Sequence, residues 1–375
     1  MDFELRYKDS VLAEFSAEYD SRNPKVRILR IVDKYRLPVD MRADDGGLES
    51  WLRKRNSEKT RAFVHNFLNK YRLNINHPLE IILASKGLSL NDCYWITEKG
   101  FEESFEKYNL FDNEFDNIAA EIAMTGRGEK QKTLPTLSPE FTTQGMMPKC
   151  WQRVNGKILL YKGGTEGCVN TGFEPYCEYY SSQLANYLGI NAVTYDLEMK
   201  FNGICSVCEL FTDKSHSFVT VKNMAGKGSA DDVLKLCNSL GNEFVNALRE
   251  MTVFDALVFN ADRHIGNFGF IVDNESNKII KPAMLFDYGS SLFNFAMPEN
   301  FKSDEALTDY AENLRTCIYG DIVSCAKSAL TAQMREKLKT VNDFKFKKHP
   351  LFNISENRLE MTERQIKRRA KQILA

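Results

Sequence analysis

The stretch that decides the fold runs from Asp255 to Leu292 and reads DALVFNADRHIGNFGFIVDNESNKIIKPAMLFDYGSSL. An apolar start leads to Asp262 and Asn267, and two strand-like segments joined by a polar turn separate Asn267 from Asp287. Two such segments form a β-hairpin when the turn between them is short. The pattern therefore predicts that Asp287 returns to the neighbourhood of Asn267.

The spacing within this stretch is one that phosphoryl-transfer chemistry uses. Protein kinases place the base Asp and a metal-binding Asn five residues apart on one loop, and a second Asp follows in an Asp-Phe-Gly triplet. Asp262 and Asn267 are five residues apart here, and the later triplet begins at Asp287. Oxygen ligands on adjacent segments suit Mg²⁺. Taken alone, Asp262 is explained as the cap of a turn and Asp287 as the end of a strand. The two carboxylates together, at this spacing, favour a kinase.

Composition describes an ordinary globular chain. Of its 375 residues, 43% are hydrophobic and 27% charged, and no apolar run approaches the ~18 residues that span a bilayer. The first residues lack the pattern of a secretory signal, which predicts a cytoplasmic protein without a membrane segment. A formal charge of −1 gives no electrostatic reason to expect direct nucleic-acid binding. Nine cysteines, with a lone C-x-x-C at Cys205 and Cys208, predict reduced thiols rather than disulfides or a zinc site.

A second set of kinase-like features lies upstream. The Asn155-Gly156 pair predicts a hairpin whose second strand, 158–161, ends in Lys162. The following helical segment, 174–188, carries Glu178. Kinases use a strand Lys to hold the ATP phosphates and a helix Glu to hold that Lys. Glu174 is the rival carboxylate, but its place beside Pro175 is typical of a first-turn acid that the helix dipole favours.

The chain divides by pattern into four parts: residues 1–100, 101–140, 141–212 and 213–375. The first contains an opening hairpin and short helices, one of which is expected to start near Ser57. The second is an acidic helical segment over 101–123 followed by a polar linker over Gly126–Pro139. The third is rich in strands. Helices dominate the fourth, including one over 319–339 and a basic terminal helix over 362–374, which is best explained as a solvated helix rather than a nucleic-acid contact.

With these residues assembled, the sequence resembles the HipA-like serine/threonine kinases, a family of bacterial toxin–antitoxin kinases that includes CtkA-type enzymes. The resemblance covers 141–292 well and the first part more weakly. It implies an α+β, bilobal protein-kinase-like fold with a β-rich N-lobe over 141–212, a helical C-lobe over 213–375 and a small N-terminal α/β subdomain over 1–100. It also implies an ATP- and Mg²⁺-dependent protein kinase, a protein substrate with a Ser or Thr acceptor, and a small helix-turn-helix antitoxin partner.

The resemblance also implies roles for individual residues. Asp262 matches the catalytic base, His264 and Asn267 match the remainder of its loop, and Asp287 matches a metal ligand beside Asn267. His264 would contact the phosphate or support the loop, and a structural histidine is an equal alternative. The other positions would bind ATP; they are the phosphate loop Gly145, Met146, Met147, Pro148 and Lys149, the lysine Lys162 with its partner Glu178, and the adenine-contacting Glu209, Leu210 and Phe211. Met147 stands where the family has Gln.

Two questions stay open at the level of sequence. In this family a Ser of the phosphate loop is autophosphorylated and ejects the loop, and Thr142, with Thr143 beside it, occupies the matching position. The order Asp-Arg-His also occurs in phosphoinositide-type lipid kinases. A lipid or small-molecule kinase and a catalytically silent nucleotide-binding regulator therefore remain alternatives to a protein kinase.

Overall fold

The computed structural model describes residues 1–18, 25–131, 133, 136–225 and 228–375. The predicted linker over Gly126–Pro139 includes positions 132, 134 and 135, which lie outside the described residues. The chain divides into two compact units. Unit 1 comprises Met1–Lys162, Glu209–Val219 and Ile271–Ile280, and unit 2 comprises Gly163–Cys208, Thr220–Phe270 and Lys281–Ala375.

Unit 1 begins with an antiparallel sheet in the order β3-β2-β1-β4, formed by β1 (Asp2–Tyr7), β2 (Ser10–Ala17), β3 (Val26–Ile31) and β4 (Tyr94–Glu98). Apolar side chains alternate along its central strands and pair across them, as Phe3 does with Phe15 and Leu5 with Ala13. All four are buried. Alternation of this kind places one face of a sheet against a core, so the predicted opening hairpin is confirmed.

Four helices accompany this sheet in the described part of unit 1: α1 (Asp45–Arg53), α2 (Val64–Lys70), α3 (Pro78–Ala84) and α4 (Asn117–Thr125). The prediction that a helix starts near Ser57 is wrong, because α2 begins only at Val64. The residues before it are bonded instead to a distant loop of the same unit. The predicted helix over 101–123 is also wrong in extent, since it is reduced to a 3₁₀ turn over Phe105–Lys107 and to α4.

The predicted Asn155-Gly156 hairpin is confirmed. Strands β5 (Lys149–Val154) and β6 (Lys157–Lys162) pair antiparallel, with Lys149 opposite Lys162. Asn155 and Gly156 both have positive φ, at 50° and 78°. That conformation matches the twist of the strands in a two-residue hairpin turn and is open to Asn and Gly.

Unit 2 is mainly helical. Its hairpin pairs β7 (Asp196–Lys200) with β8 (Gly203–Glu209), whose last residue belongs to unit 1. Its helices are α5 (Glu174–Tyr187), α6 (Val221–Met224), α7 (Ala230–Leu240), α8 (Asn242–Leu257), α9 (Asp304–Glu312), α10 (Ile322–Ala329), α11 (Ala332–Thr340) and α12 (Glu356–Leu374). The single helix predicted over 319–339 is two helices, because Leu330 is extended and the Thr331 side chain caps α11.

A three-stranded sheet in the order β11-β10-β9 contains β9 (His216–Thr220), β10 (Gly269–Asp273) and β11 (Lys278–Pro282). The polar turn between β10 and β11 is the one that the sequence places at 273–277. Strands β10 and β11 are adjacent in this sheet, which confirms the predicted hairpin. Beyond it, the Ala283 N–H donates to the Gly269 carbonyl at 2.9 Å, which brings the chain back toward Asn267.

The basic terminal helix α12 turns its apolar side, with Ile366, Ala370 and Ile373, into unit 2. Two of its arginines pair with acids of α9: Arg364 with Asp304 at 3.0 Å, and Arg368 with Glu312. Much of its charge is therefore matched within its own unit. No helix in the described part of the chain is both long and apolar enough to cross a membrane.

Candidate active site

The candidate site in unit 2 is built on a buried ion pair at the end of α8. The last turns of this helix are apolar and buried, and they carry Asp255 into the interior. The Asp255 carboxylate accepts hydrogen bonds from Arg263 Nε at 2.9 Å and Nη2 at 3.0 Å, in a bidentate arrangement. Asn260 Nδ2 and the Tyr319 hydroxyl add bonds of 2.9 and 3.0 Å. Both charged side chains are 0% exposed.

The charge of Arg263 is maintained by its partner. Burial by itself would lower the pKa of the Arg263 guanidinium, because water no longer solvates the cation. The Asp255 carboxylate outweighs this effect and holds the pKa above its ordinary value. A guanidinium that is both charged and dry bonds strongly to whatever carbonyls it reaches.

Arg263 uses its remaining nitrogen to join the two halves of the site. Its Nη1 donates to the Asn267 carbonyl at 2.8 Å and to the Phe286 carbonyl at 2.8 Å. The guanidinium also lies over the Tyr288 ring, 5.0 Å from its centroid. One side chain therefore ties the loop that begins at Asp262 to the segment that carries Asp287.

The loop from Asp262 to Asn267 is held mainly through its backbone. The Asp262 N–H donates to Asn260 Oδ1 at 3.2 Å, and the Asn267 N–H donates to the His264 carbonyl at 2.8 Å. Asn267 Nδ2 reaches the Asp262 carbonyl at 3.3 Å, which orients the amide. The Asp262 side chain is half-buried whereas Asn267 is buried. A fixed backbone beneath an accessible carboxylate suits a proton acceptor.

His264 folds back over its own loop. Its Nδ1 accepts the Gly266 N–H at 3.1 Å. A Cβ on Gly266 would lie 2.9 Å from His264 Cε1, so only glycine leaves room for the ring. This contact favours loop support as the role of His264.

The segment after β11 places Asp287 and Tyr288 in a constrained turn. Asp287 has a φ of 65°, a left-handed conformation that Asp tolerates better than most residues. Its N–H donates to the Tyr195 hydroxyl at 3.3 Å, and burial raises the pKa of Tyr195 well above its usual value. The Tyr288 N–H donates to Glu178 Oε2 at 2.8 Å. Glu178, from α5, thus holds the residue next to the predicted metal ligand.

The rival carboxylate Glu174 has a different place. It accepts hydrogen bonds from the Thr165 N–H at 3.2 Å and from the Thr165 hydroxyl at 2.6 Å. It therefore closes the glycine-rich loop that precedes α5, in keeping with a first-turn acid.

Cys317 lies against the predicted base. Its Sγ is 3.3 Å from Asp262 Oδ1, and its N–H donates to the Ala261 carbonyl at 3.1 Å. Partial burial, and then the hydrogen bond to Asp262, raise the pKa of the Cys317 thiol. The residue itself is exposed.

The predicted phosphate loop lies in unit 1. Lys149 is buried, and its Nζ donates to the Gln144 carbonyl at 2.9 Å. Gly145 has a φ of 93°, and a Cβ there would lie 2.4 Å from that Nζ. Met146 is 60% exposed, and Met147 and Pro148 are half-buried. The loop therefore wraps around the Lys149 amine.

The two candidate phosphorylation sites differ in exposure. Thr142 is buried, and its hydroxyl donates to the Leu88 carbonyl at 2.8 Å. The half-buried Thr143 donates to the Pro139 carbonyl at 2.8 Å and accepts from Trp151 Nε1 at 3.1 Å.

The remaining predicted ATP contacts also belong to unit 1. Lys162 is buried at the end of β6. In the connection after β8, the exposed Glu209 pairs with Lys157 at 2.7 Å, the Leu210 N–H donates to the Ile158 carbonyl at 2.9 Å, and the Phe211 ring packs edge-on against Phe218. Glu178, Asp262, Asn267 and Asp287 belong to unit 2. Their convergence with Lys162 around one nucleotide stays a prediction.

The donor atoms fit the predicted cation. Asn267 and Asp287 offer an amide and a carboxylate oxygen, the hard ligands that Mg²⁺ prefers. The Asn267 side-chain nitrogen donates to the Asp262 carbonyl. The side-chain oxygen of Asn267 is therefore the atom that would bind the cation. Within the described ranges, no group of three or more His, Cys, Asp or Glu gathers at a metal-binding distance.

Several supporting residues were not identified from the sequence: Asp255, Tyr195, Tyr288 and Cys317 as contacts of the site, and Arg263 as its bridge. A signal existed for one pair, because buried charges are usually paired and Asp255 is the acid within the apolar end of α8. Tyr195 and Cys317 lie 92 and 55 residues from the groups they contact, Asp287 and Asp262. No local pattern could have indicated those contacts.

Comparison with known proteins gives structural matches. No protein-family model and no curated protein matches the chain. Among solved structures, the chain is similar to HipA of the Shewanella oneidensis MR-1 toxin–antitoxin system, solved with HipB and operator DNA. That match has a TM-score of 0.56 and 12% identity, covering 98% of this chain and 96% of the other. Helicobacter pylori proinflammatory kinase CtkA matches with a TM-score of 0.48 and 20% identity, covering 61% of this chain and 88% of the other.

The HipA match extends over nearly the whole chain, and it confirms the predicted α+β, HipA-like fold. At 12% identity the likeness concerns the fold alone. A shared fold does not determine the chemistry, which depends on the residues of the site.

The first prediction concerns the buried ion pair. Replacing Asp255 by Asn preserves the shape of the side chain but leaves the Arg263 charge buried without its counter-ion. We expect the free energy of unfolding to fall by about 3–5 kcal/mol, measured by urea denaturation. The control is Asp304→Asn, which breaks an exposed pair with Arg364 and should change stability little. Equal effects of the two substitutions would contradict the assigned role of Asp255.

The second prediction tests the contact between Cys317 and Asp262 without any assay of activity. Because the pKa of Cys317 is raised, less of it is thiolate at a given pH, and its alkylation by iodoacetamide should keep accelerating above the usual thiol range. Asp262→Asn removes the negative charge, which lowers this pKa and increases the rate at pH 8. Peptide mass spectrometry reports the rate, with the exposed Cys168 as the internal control. An unchanged Cys317 rate in the variant would show that the two groups are apart.

Proposed function

We propose that this chain is an ATP-dependent protein serine/threonine kinase of the HipA-like type. The observation that supports it most is the bridge from Arg263 to the Asn267 and Phe286 carbonyls. This bridge supports the proposal because it joins the loop of Asp262 and Asn267 to the segment of Asp287, the two segments that the kinase motif brings together. The HipA-like fold is the second support.

In the proposed reaction, Asp262 orients the acceptor hydroxyl and takes its proton. Positioning and electrostatic stabilisation provide most of the catalysis in phosphoryl transfer. Asn267 and Asp287 would hold Mg²⁺, which neutralises phosphate charge when bound. Lys162 would hold the ATP phosphates, while His264 supports the loop from below through Gly266. Leu210 and Phe211, with Glu209, would contact the adenine.

The third prediction tests the base. Asp262→Asn should reduce phosphate transfer by about 10²-fold or more, the usual contribution of a general base, while ATP binding changes little. Asp287→Asn should lose Mg²⁺-dependent transfer as well. The control is Asp231→Asn, at an exposed position in the first turn of α7. Transfer is measured with radiolabelled ATP.

Three acceptor classes make this experiment decisive. Label on protein supports the proposal, whereas label only on lipid or on an aminoglycoside assigns a lipid or small-molecule kinase. ATP binding without any transfer by the wild type would indicate a silent nucleotide-binding regulator. Full transfer by Asp262→Asn would reject Asp262 as the base.

The fourth prediction concerns autophosphorylation, which we include in the proposal for Thr142 or Thr143. The buried Thr142 hydroxyl donates to the Leu88 carbonyl, so a phosphate there is incompatible with the docked loop. Modification would therefore require, and then maintain, loop release. After incubation with ATP, phosphopeptide mapping should find label between Phe141 and Lys149 in the wild type and none in Asp262→Asn. A wild-type peptide without label would reject the switch.

The proposal extends to a partner. The similar Shewanella HipA was solved with HipB and operator DNA. We infer a small helix-turn-helix partner for this chain, with a protein target carrying the Ser or Thr acceptor. Phosphoproteomics after brief expression of the wild type beside Asp262→Asn identifies that target.

A further inference from the structure

The segment Ser57–Ala62, which precedes α2, is hydrogen-bonded to both ends of residues 140–149. We call this stretch, which ends with the predicted phosphate loop Gly145–Lys149, the loop 140–149. At the first end, the Ser57 N–H and hydroxyl and Arg61 Nη1 donate to two successive carbonyls, with bonds of 2.6 to 2.8 Å. At the other end, Arg61 Nη2 donates at 2.7 Å and the Ala62 N–H at 2.8 Å. The four carbonyls belong to Glu140, Phe141, Met146 and Lys149. We call Ser57–Ala62 the clamp segment.

Arg61 is the centre of this clamp. It is 4% exposed, and one guanidinium reaches Glu140 at the start of the loop and Lys149 at its end. Burial lowers the pKa of Arg61, because water no longer solvates the cation. Charge-assisted hydrogen bonds are strongest in such surroundings, and losing the donor leaves two buried carbonyls without it.

The Glu140 side chain, at the start of the loop 140–149, is also held by hydrogen bonds. The Glu140 carboxylate accepts from the Trp151 N–H at 2.9 Å and from the Ser138 hydroxyl at 2.7 Å. Its full burial raises its pKa. Gln144, within the loop, donates to the Asn56 carbonyl at 2.5 Å, next to the clamp segment. Glu140 is thus held by its own neighbourhood in the chain, while Gln144 is bonded to the residue that precedes the clamp segment.

We propose that the clamp segment sets the affinity of this chain for the phosphates of ATP by holding the loop 140–149 docked, with Arg61 as the positioning residue. This inference rests on the proposed kinase function. A loop that is fixed before the nucleotide arrives loses less conformational freedom on binding. Release of the loop weakens the binding of ATP equally in the ground state and in the transition state. The KM for ATP therefore rises, while kcat stays nearly unchanged.

The fifth prediction compares two buried arginines of the same unit. Arg61→Met removes the clamp. Arg55→Met removes a guanidinium that is also buried, at 5% exposure, but that bonds to Asp92 and to the Gly87 carbonyl. No hydrogen bond among the described residues joins the Arg55 side chain to the loop. The control therefore removes a buried guanidinium whose own hydrogen bonds end outside the loop 140–149.

Two readouts are taken on the full-length chain. Hydrogen exchange of the peptide spanning 140–149, measured without nucleotide, should accelerate about tenfold or more in Arg61→Met, as expected for lost charge-assisted hydrogen bonds. It should change little in Arg55→Met. The KM for ATP should rise by about tenfold in Arg61→Met with kcat within about twofold of the wild type.

The two readouts separate the inference from the function on which it rests. Equal hydrogen-exchange rates of the 140–149 peptide in the wild type and both variants would reject the proposed role of the clamp segment. Equal acceleration of this exchange in Arg61→Met and Arg55→Met would reject it as well. A fall in kcat with unchanged KM would also overturn it. If the wild type binds no ATP but Arg61→Met still releases the loop, the structural role of the clamp segment is supported. The proposed kinase function, and the effect of the clamp segment on ATP affinity, are then rejected.

Discussion

The buried pair of Arg263 and Asp255 is the constraint on which the candidate site depends. Both side chains are 0% exposed, so neither charge has water as an alternative partner. Their mutual attraction keeps the guanidinium charged, and its Nη1 then binds carbonyls from two segments far apart in sequence. A buried pair gains little stability over an apolar core of the same shape, but it fixes one arrangement of the chain, because alternatives leave a charge uncompensated.

The same device occurs in unit 1. There Arg61 is buried and joins the carbonyls at the two ends of the loop 140–149. In both units a dehydrated guanidinium holds functional segments through their backbone oxygens. The bonds of Arg263 to the Asn267 and Phe286 carbonyls end on backbone oxygens, so they do not use the Asp262 carboxylate.

The tertiary contacts also refine the roles of individual groups. His264 supports its loop by accepting the Gly266 N–H. Glu178 holds Tyr288, next to Asp287, in addition to the role that the resemblance implies for it. Cys317 brings a thiol of raised pKa against the Asp262 carboxylate. Each contact restricts how a predicted site residue can be oriented, which is how supporting residues contribute to a site.

By itself, the sequence determined the elements whose causes are local: the turn at Asn155-Gly156, the helix α5, and the hairpin that returns Asp287 toward Asn267. The spacing of Asp262, Asn267 and Asp287 is also a property of the chain, and the prediction of phosphoryl transfer comes from it. The tertiary structure decided the rest. The start of α2, the break between α10 and α11, the bridge of Arg263 and the clamp of Arg61 all depend on partners that are distant in sequence or on competing caps. Hydrogen bonds to distant carbonyls have no periodicity along the chain, so only the folded arrangement specifies them.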